Sequence, residues 1–241
     1  MMTLGNAPSR VKKETNMVCV KNLSFRLQKI ILNDITLSIE PKGQIIALLG
    51  PNGSGKTTLM NVLADLYQKY EGNVHDVGKV QLLPDYAYIP EDLTIRECFN
   101  LFGQVYDTFN IEKAIQIFSY LNLNQDQLIS SYSKGMKEQL HLAFLLCHDV
   151  DTYLLDEPLA AVDPLTRDIL INLIMKFKTN SGVTIISTHL IQDMDKLFDE
   201  VIFMSNGKIL LHNSVPQLFE KYPGLSLDDI YKEVNRNVPF N

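Results

Sequence analysis

Cysteine is scarce: Cys19, Cys98 and Cys147 are the only three in 241 residues. They stand far apart and match no metal or redox spacing, so they are expected to be free thiols in a reducing compartment. Long apolar runs are missing. Stretches such as Ile45 to Leu49 fall far short of the roughly 18 residues that a bilayer-spanning helix needs. No signal-peptide pattern opens the sequence. A soluble chain is therefore expected, one that something else must hold if it works at a membrane. Positive charge is also short: 22 Lys and Arg face 28 Asp and Glu, for a formal net charge of -6. That argues against a general nucleic-acid binder, which is usually basic.

What is present suits one large domain, or one domain with a subdomain inserted. Hydrophobic residues make up 46% and charged residues 21%. That is enough for a full core and argues against wholesale disorder. Residues 1–16 lack apolar periodicity and carry Gly5, Pro8, Arg10, Lys12 and Lys13. They read as a flexible tail, either solvated or touching lipid headgroups.

From residue 17 the pattern is α/β. Val18 to Val20 and Ile35 to Ile39 read as strands, and Ile45 to Leu49 as a strand buried on both faces of a parallel sheet. Residues 92–149 read as a helical subdomain. Thr94 with Glu97 forms a capping box there, and Asn110 and Ser133 are caps for two more helices. Strand patterns return at Thr152 to Leu155, Val183 to Ser187 and Val201 to Met204, with helices from Asp163 and near Ile191 between them. Asn206-Gly207 is a hairpin signal leading into Lys208 to His212. Ser214 with Gln217, and Ser226 with Asp229, cap two closing helices within 213–236. The core is thus expected over 17–91 and 150–212, within a single domain spanning 17–241.

Gly50-Pro51-Asn52-Gly53-Ser54-Gly55-Lys56-Thr57 fits the pattern G-x-x-x-x-G-K-[ST] at every fixed position. Glycines let the backbone curl so that successive N–H groups face phosphate oxygens. The helix that follows offers the positive end of its dipole. Lys56 can reach the β- and γ-phosphates, and the Thr57 hydroxyl can ligate Mg²⁺. Downstream, the apolar Tyr153-Leu154-Leu155 delivers Asp156-Glu157-Pro158 at a strand end, where ligands of parallel sheets bind. Alternation sends the two carboxylates in different directions. Asp156 is expected to hold Mg²⁺, and Glu157 to act as general base toward water. These motifs alone describe a phosphate-loop NTPase.

Three further stretches resemble the ATP-binding domains of ABC transporters. Tyr132-Ser133-Lys134-Gly135-Met136-Lys137-Glu138-Gln139 resembles the LSGGQ signature, Ala161-Val162-Asp163 the D-loop, and Ser187-Thr188-His189 the switch histidine. The resemblance runs in order from about residue 17 to residue 235. It implies an α/β phosphate-loop NTPase core with a mostly parallel sheet, N-terminal antiparallel strands and an inserted α-helical subdomain. It also implies an ATPase using ATP and Mg²⁺, with Thr58 joining the phosphate contacts, His189 meeting the γ-phosphate and Asp163 crossing a dimer interface. In the family, two such domains face each other head to tail. Ser133 and Gly135 of one then meet the nucleotide of the other. The implied partners are a second ATP-binding subunit and a multi-span membrane subunit, with no nucleic acid. The implied place is the cytoplasmic face of the cell membrane.

Several positions depart from the family pattern. Glu91, in Tyr88-Ile89-Pro90-Glu91, stands where the family usually has a glutamine that senses Mg²⁺ and water. A third carboxylate is expected there beside Asp156 and Glu157, steepening the Mg²⁺ dependence. The segment from Glu91 to the Thr94 cap is shorter than usual. Lys134 and Met136 replace the usual signature residues, and Lys134 either contacts charge or is solvated. The adenine-stacking aromatic is expected near Leu27. Phe25 is the aromatic close by, with stacking and core burial both open to it.

The ending Leu225-Ser226-Leu227-Asp228-Asp229-Ile230-Tyr231 and the wording of the signature look like bacterial exporters of drugs, peptides or lantibiotics. An importer ATPase is the alternative within transport. A non-transport ATPase acting on ribosomes or DNA is the alternative outside it. The one-domain length and the lack of a coiled-coil insert speak against the latter.

Overall fold

The computed structural model describes residues 17–160, 162–189 and 196–236. The tail at 1–16 and the helix expected near Ile191 lie outside the described residues.

In chain order the strands are β1 (Val18–Arg26), β2 (Ile30–Ile39), β3 (Gln44–Leu49), β4 (Glu71–His75), β5 (Val80–Leu83), β6 (Thr152–Asp156), β7 (Val183–Thr188), β8 (Glu200–Ser205) and β9 (Lys208–Ser214). They form two sheets: a three-stranded one ordered β2-β1-β4 and a six-stranded one ordered β5-β6-β7-β3-β8-β9. The small sheet is antiparallel. The large one is parallel except where β9 returns along β8. That return is made by Asn206 and Gly207 at φ 48° and 72°, the pair of left-handed residues that a tight hairpin requires.

β3 shows why a short apolar run sits at the centre of a parallel sheet. Ile45, Ala47 and Leu49 pack into one apolar cluster with Tyr153, Leu155 and Phe203. Ile46 and Leu48 pack into the other, with β1, β2 and Leu59, Met60 and Leu63. Both faces are covered, so every residue from Gln44 to Leu49 is buried. Each large apolar side chain buried this way contributes about 1.5–3 kcal/mol.

The helices are α1 (Lys56–Leu63), α2 (Ile95–Val105), α3 (Ile111–Leu121), α4 (Lys134–Leu146), α5 (Pro164–Phe177), α6 (Val215–Lys221) and α7 (Leu227–Arg236). α2, α3 and α4 fall between β5 and β6 in the chain and carry an aromatic core of Phe99, Phe102, Phe118 and Phe144. The starts of α2 to α7 all have side-chain caps. The Thr94–Glu97 box is complete, with Glu97 N donating to Thr94 Oγ1 at 3.2 Å and Thr94 N donating to Glu97 Oε2 at 2.8 Å. Asn110, Ser133, Asp163, Ser214 and Ser226 each accept an amide three residues on. α1 is the exception among the described residues: Gly55 precedes it and makes no side-chain cap.

Candidate functional site

The uncapped start of α1 is where the phosphate-type loop ends. Gly53 and Gly55 have φ 80° and 105°, and a Cβ on Gly55 would also stand 2.8 Å from Leu32 Cδ2. Only glycine takes that backbone at that distance. The first amides of α1, on Lys56, Thr57 and Thr58, have no intrahelical partner by the geometry of any helix start. No side chain substitutes for one. Ser54 Oγ, within the loop, is buried with no hydrogen-bond partner. Such groups are costly unless a ligand or water meets them. Lys56 is 6% exposed and donates to the carbonyls of Gly50 at 2.8 Å and Pro51 at 3.4 Å. The ammonium therefore lies across the mouth of its own loop. A helix dipole, free amides, an orphaned hydroxyl and a buried ammonium together fit an anion.

The carboxylates lie beside this loop. Asp156 closes β6 and is 4% exposed. It accepts a hydrogen bond from the Ser187 hydroxyl at the end of β7. Glu157 does not continue the strand, and its φ is 49°. The strand alternation that the sequence suggested therefore stops at Asp156. The Glu157 amide donates to Ser187 Oγ at 2.9 Å. Its Oε1 lies 3.7 Å from Lys56 Nζ, and its Oε2 lies 3.0 Å from His189 Nδ1. An ionised carboxylate only accepts, so Nδ1 carries the proton in that pair. Asn52, Asp156, Glu157 and His189 line one side of a cavity of about 440 Å³, with Lys134, Glu138 and His141 of α4 among the groups facing it.

Sequence reasoning missed Ser187 as a site residue. The signal was present, because a hydroxyl inside an apolar strand that ends beside two carboxylates needs a partner there. Its hydroxyl accepts from the Glu157 amide and donates to the Asp156 carboxylate. Ser187→Ala is expected to lower kcat about tenfold by loosening both, with KM for ATP within about twofold. Steady-state hydrolysis beside direct nucleotide binding checks this, and an unchanged kcat would remove Ser187 from the machinery.

Ser133 and Asp163 sit at the starts of α4 and α5. Ser133 Oγ accepts from Met136 N at 3.3 Å. Asp163 accepts from Thr166 N at 3.0 Å and from Thr166 Oγ1 at 2.6 Å, bonds that hold its carboxyl below the usual range. A Cβ on Gly135 would meet Thr166 Oγ1 at 2.7 Å, so the two helix starts abut. Glu91 pairs with α4. It is not among the residues lining the cavity with Asp156 and Glu157, and its Oε2 accepts from Lys137 Nζ of α4 at 2.7 Å. An acid beside a lysine of the adjoining helix turns to that partner. Phe25 is 5% exposed and its ring stacks on Tyr67 at 5.0 Å. That places it in the core, with its face taken.

The family model described as ABC transporter matches residues 32–160, more than half the chain. The chain belongs to the ABC transporter family. It is an ATP-binding, ATP-hydrolysing subunit of that family. Among curated relatives, this ABC subunit is 30% identical over 218 residues to the SkfA peptide export ATP-binding protein SkfE of Bacillus subtilis, covering 84% of this chain and 85% of the relative. It is 26% identical over 220 residues to the Nod factor export ATP-binding protein I of Burkholderia lata, covering 84% of this chain and 72% of the relative. A solved structure titled as the ATP binding subunit of an ABC transporter superposes with a TM-score of 0.75 at 21% identity, covering 91% of this chain and 99% of that one. The fold is therefore the family's. No helix among the described residues of this ABC subunit is long and apolar enough to cross a membrane.

Proposed function

We propose that this chain is the motor subunit of an exporter, and that it hydrolyses MgATP while bound to a separate membrane-spanning subunit. The observation that carries the chemistry is the convergence of Lys56 and His189 on the two oxygens of Glu157, at 3.7 and 3.0 Å. Residues 50–58 hold the phosphates. Lys56 exchanges the Gly50 carbonyl and Glu157 for β- and γ-phosphate oxygens, which frees Glu157 Oε1 to take a proton from water. His189 keeps the other oxygen in place.

The donors fit Mg²⁺. Thr57 and Asp156 offer hard oxygens, and no cluster of three or more His, Cys, Asp or Glu that could hold a metal by itself occurs among the described residues. That is the pattern of a cation held by one or two protein oxygens together with nucleotide phosphates. When bound there, Mg²⁺ neutralises charge on the β- and γ-phosphate oxygens.

Ser133, Gly135 and Asp163 serve the nucleotide of a second ATP-binding subunit facing this one. A two-fold pair makes such contacts reciprocally. Export is supported by relatives whose names include it, SkfE and the Nod factor protein among them. The working place that follows is the cytoplasmic face of the membrane.

The test is to tag the chain in its native cell, solubilise membranes in mild detergent and identify what co-purifies. A multi-span membrane protein at matching stoichiometry supports the reading. Recovery of ribosomes or DNA-associated proteins alone overturns the transport assignment and leaves the ATPase standing.

A further inference from the structure

A second cavity, of about 590 Å³, opens at the other end of the large sheet. Its walls are the approaches to three strands: Lys79 before β5, Asp149 and Asp151 before β6, and Lys178 to Ser181 before β7. Asp156 stands at the opposite end of β6, about 13 Å along the strand at ~3.3 Å per residue. The two cavities share no lining residue.

The charge of this cavity is opposite to that of the chain. Against a formal net charge of -6, it gathers four ammonium groups, on Lys79, Lys113, Lys176 and Lys178, and two carboxylates, on Asp149 and Asp151. Both carboxylates already accept from nitrogen. Asp149 Oδ2 takes a hydrogen bond from Asn110 Nδ2 at 2.8 Å, and Asp151 Oδ2 one from the Lys79 amide at 2.8 Å. Two of the lysines rest on neutral groups. Lys178 Nζ donates to the Gly43 carbonyl, and Lys176 Nζ lies 4.2 Å from the centre of the Tyr120 ring.

Lys113 carries the most strained of these charges. Its side chain is 20% exposed and its ammonium reaches Asp149 only at 4.0 Å. It donates instead to Tyr153 Oη at 3.0 Å and to the His148 carbonyl at 3.5 Å. Burial lowers its pKa, and Asp149 offsets this only in part. An anion brought beside it would favour the charged form. The wall at 178–182 is held firmly. A Cβ on Gly182 would run into the Asp151 carbonyl, and one on Gly43 into that of Asn180. In that wall the amides of Thr179, Asn180 and Ser181 donate to no protein group among the described residues.

We propose that this cavity is a binding site for a phosphate monoester, held by Lys79, Lys113 and Lys176 beside the Thr179–Ser181 turn. Such a group carries about -1.5 to -2 charges near pH 7, which matches the cavity's excess of two ammonium groups. The volume falls within the ~300–1,000 Å³ of small-molecule sites, so there is room for an organic body behind the phosphate.

The experiment uses the full chain saturated with Mg²⁺ and a non-hydrolysable ATP analogue, so that the phosphate loop is filled. Glycerol 3-phosphate is titrated by calorimetry. Phosphatidic acid vesicles are tested by co-sedimentation, with phosphatidylcholine vesicles as blank. One saturable site is expected. Lys79→Met and Lys113→Met should each weaken it at least about tenfold, the scale of one lost hydrogen bond to a charged group. Lys113 also holds Tyr153, so circular dichroism checks the fold of its variant. Lys79→Met removes an exposed side chain and keeps the amide bond to Asp151. Lys232→Met, on α7 and outside the cavity, should match wild type. Glycerol 3-phosphate binding that the two cavity variants weaken upholds the site, with soluble phosphate esters as its ligands. Binding of phosphatidic acid vesicles alone, lost in the same variants, upholds it with a lipid headgroup as ligand. No binding of either probe overturns the proposal. So does binding that Lys79→Met and Lys113→Met leave within twofold of wild type, or that Lys232→Met weakens equally.

Discussion

Glu157→Gln is expected to cut steady-state ATP hydrolysis about 10²–10⁴-fold while leaving ATP bound. The amide matches the carboxylate in shape and tolerates the same left-handed backbone at φ 49°. It cannot take a proton from water. The fold should survive. Lys56 keeps its bonds to the Gly50 and Pro51 carbonyls, so losing the pair with Glu157 does not leave its ammonium buried without a partner. With hydrolysis stopped, the nucleotide-sandwiched pair of subunits should accumulate. Size-exclusion chromatography with ATP and Mg²⁺ then shows a dimer for Glu157→Gln and a monomer for wild type after turnover. Turnover within threefold of wild type would take the general-base role away from Glu157.

Lys56→Ala is expected to weaken ATP binding about 10²–10⁴-fold, since a hydrogen bond to a charged group contributes about 1.5–3 kcal/mol and the proposed reading gives Lys56 one to each of the β- and γ-phosphates. The substitution also leaves the Gly50 carbonyl without its ammonium donor. Lys56→Arg should do no better than about tenfold below wild type. The site was shaped around a point charge, and a planar fork cannot fold back over two adjacent carbonyls in the same way. Titration calorimetry with ATP measures both. An affinity within threefold of wild type for Lys56→Ala would mean that the phosphates bind elsewhere.

Much of the site was legible because its chemistry is local. The loop from Gly50 to Thr57 needs glycines at fixed steps, and the six caps need a hydroxyl, amide or carboxylate three residues ahead of an amide. Both requirements are written in consecutive residues. β3 was legible for a different reason: a strand covered on both faces is apolar throughout. β4 and β5 escaped. β4 reads Glu-Gly-Asn-Val-His with no buried residue, and β5 is four residues long at the sheet edge. Neither carries a period that marks a strand. The left-handed backbone of Glu157 was not legible, because its amide bonds to Ser187, 30 residues away. The partners of Glu91 and Phe25 escaped for the same reason. Lys137 is 46 residues from Glu91, and Tyr67 stacks on Phe25 from far along the chain, so neither partner shows in the local pattern.

The missing cap of α1 also bears on how the protein endures. Among the described α-helices, α2 to α7 are closed by side chains, and α1 is left open to a molecule from solution. Such a cap is typically worth about 1 kcal/mol, and the chain forgoes it when alone. A ligand bound only by the folded form returns far more: about 2.7 kcal/mol at a hundredfold excess over its dissociation constant. The melting temperature should therefore climb with ATP concentration. A cell short of ATP would hold this protein nearer its unfolding threshold, so energy supply would govern how long the motor lasts as well as how fast it runs.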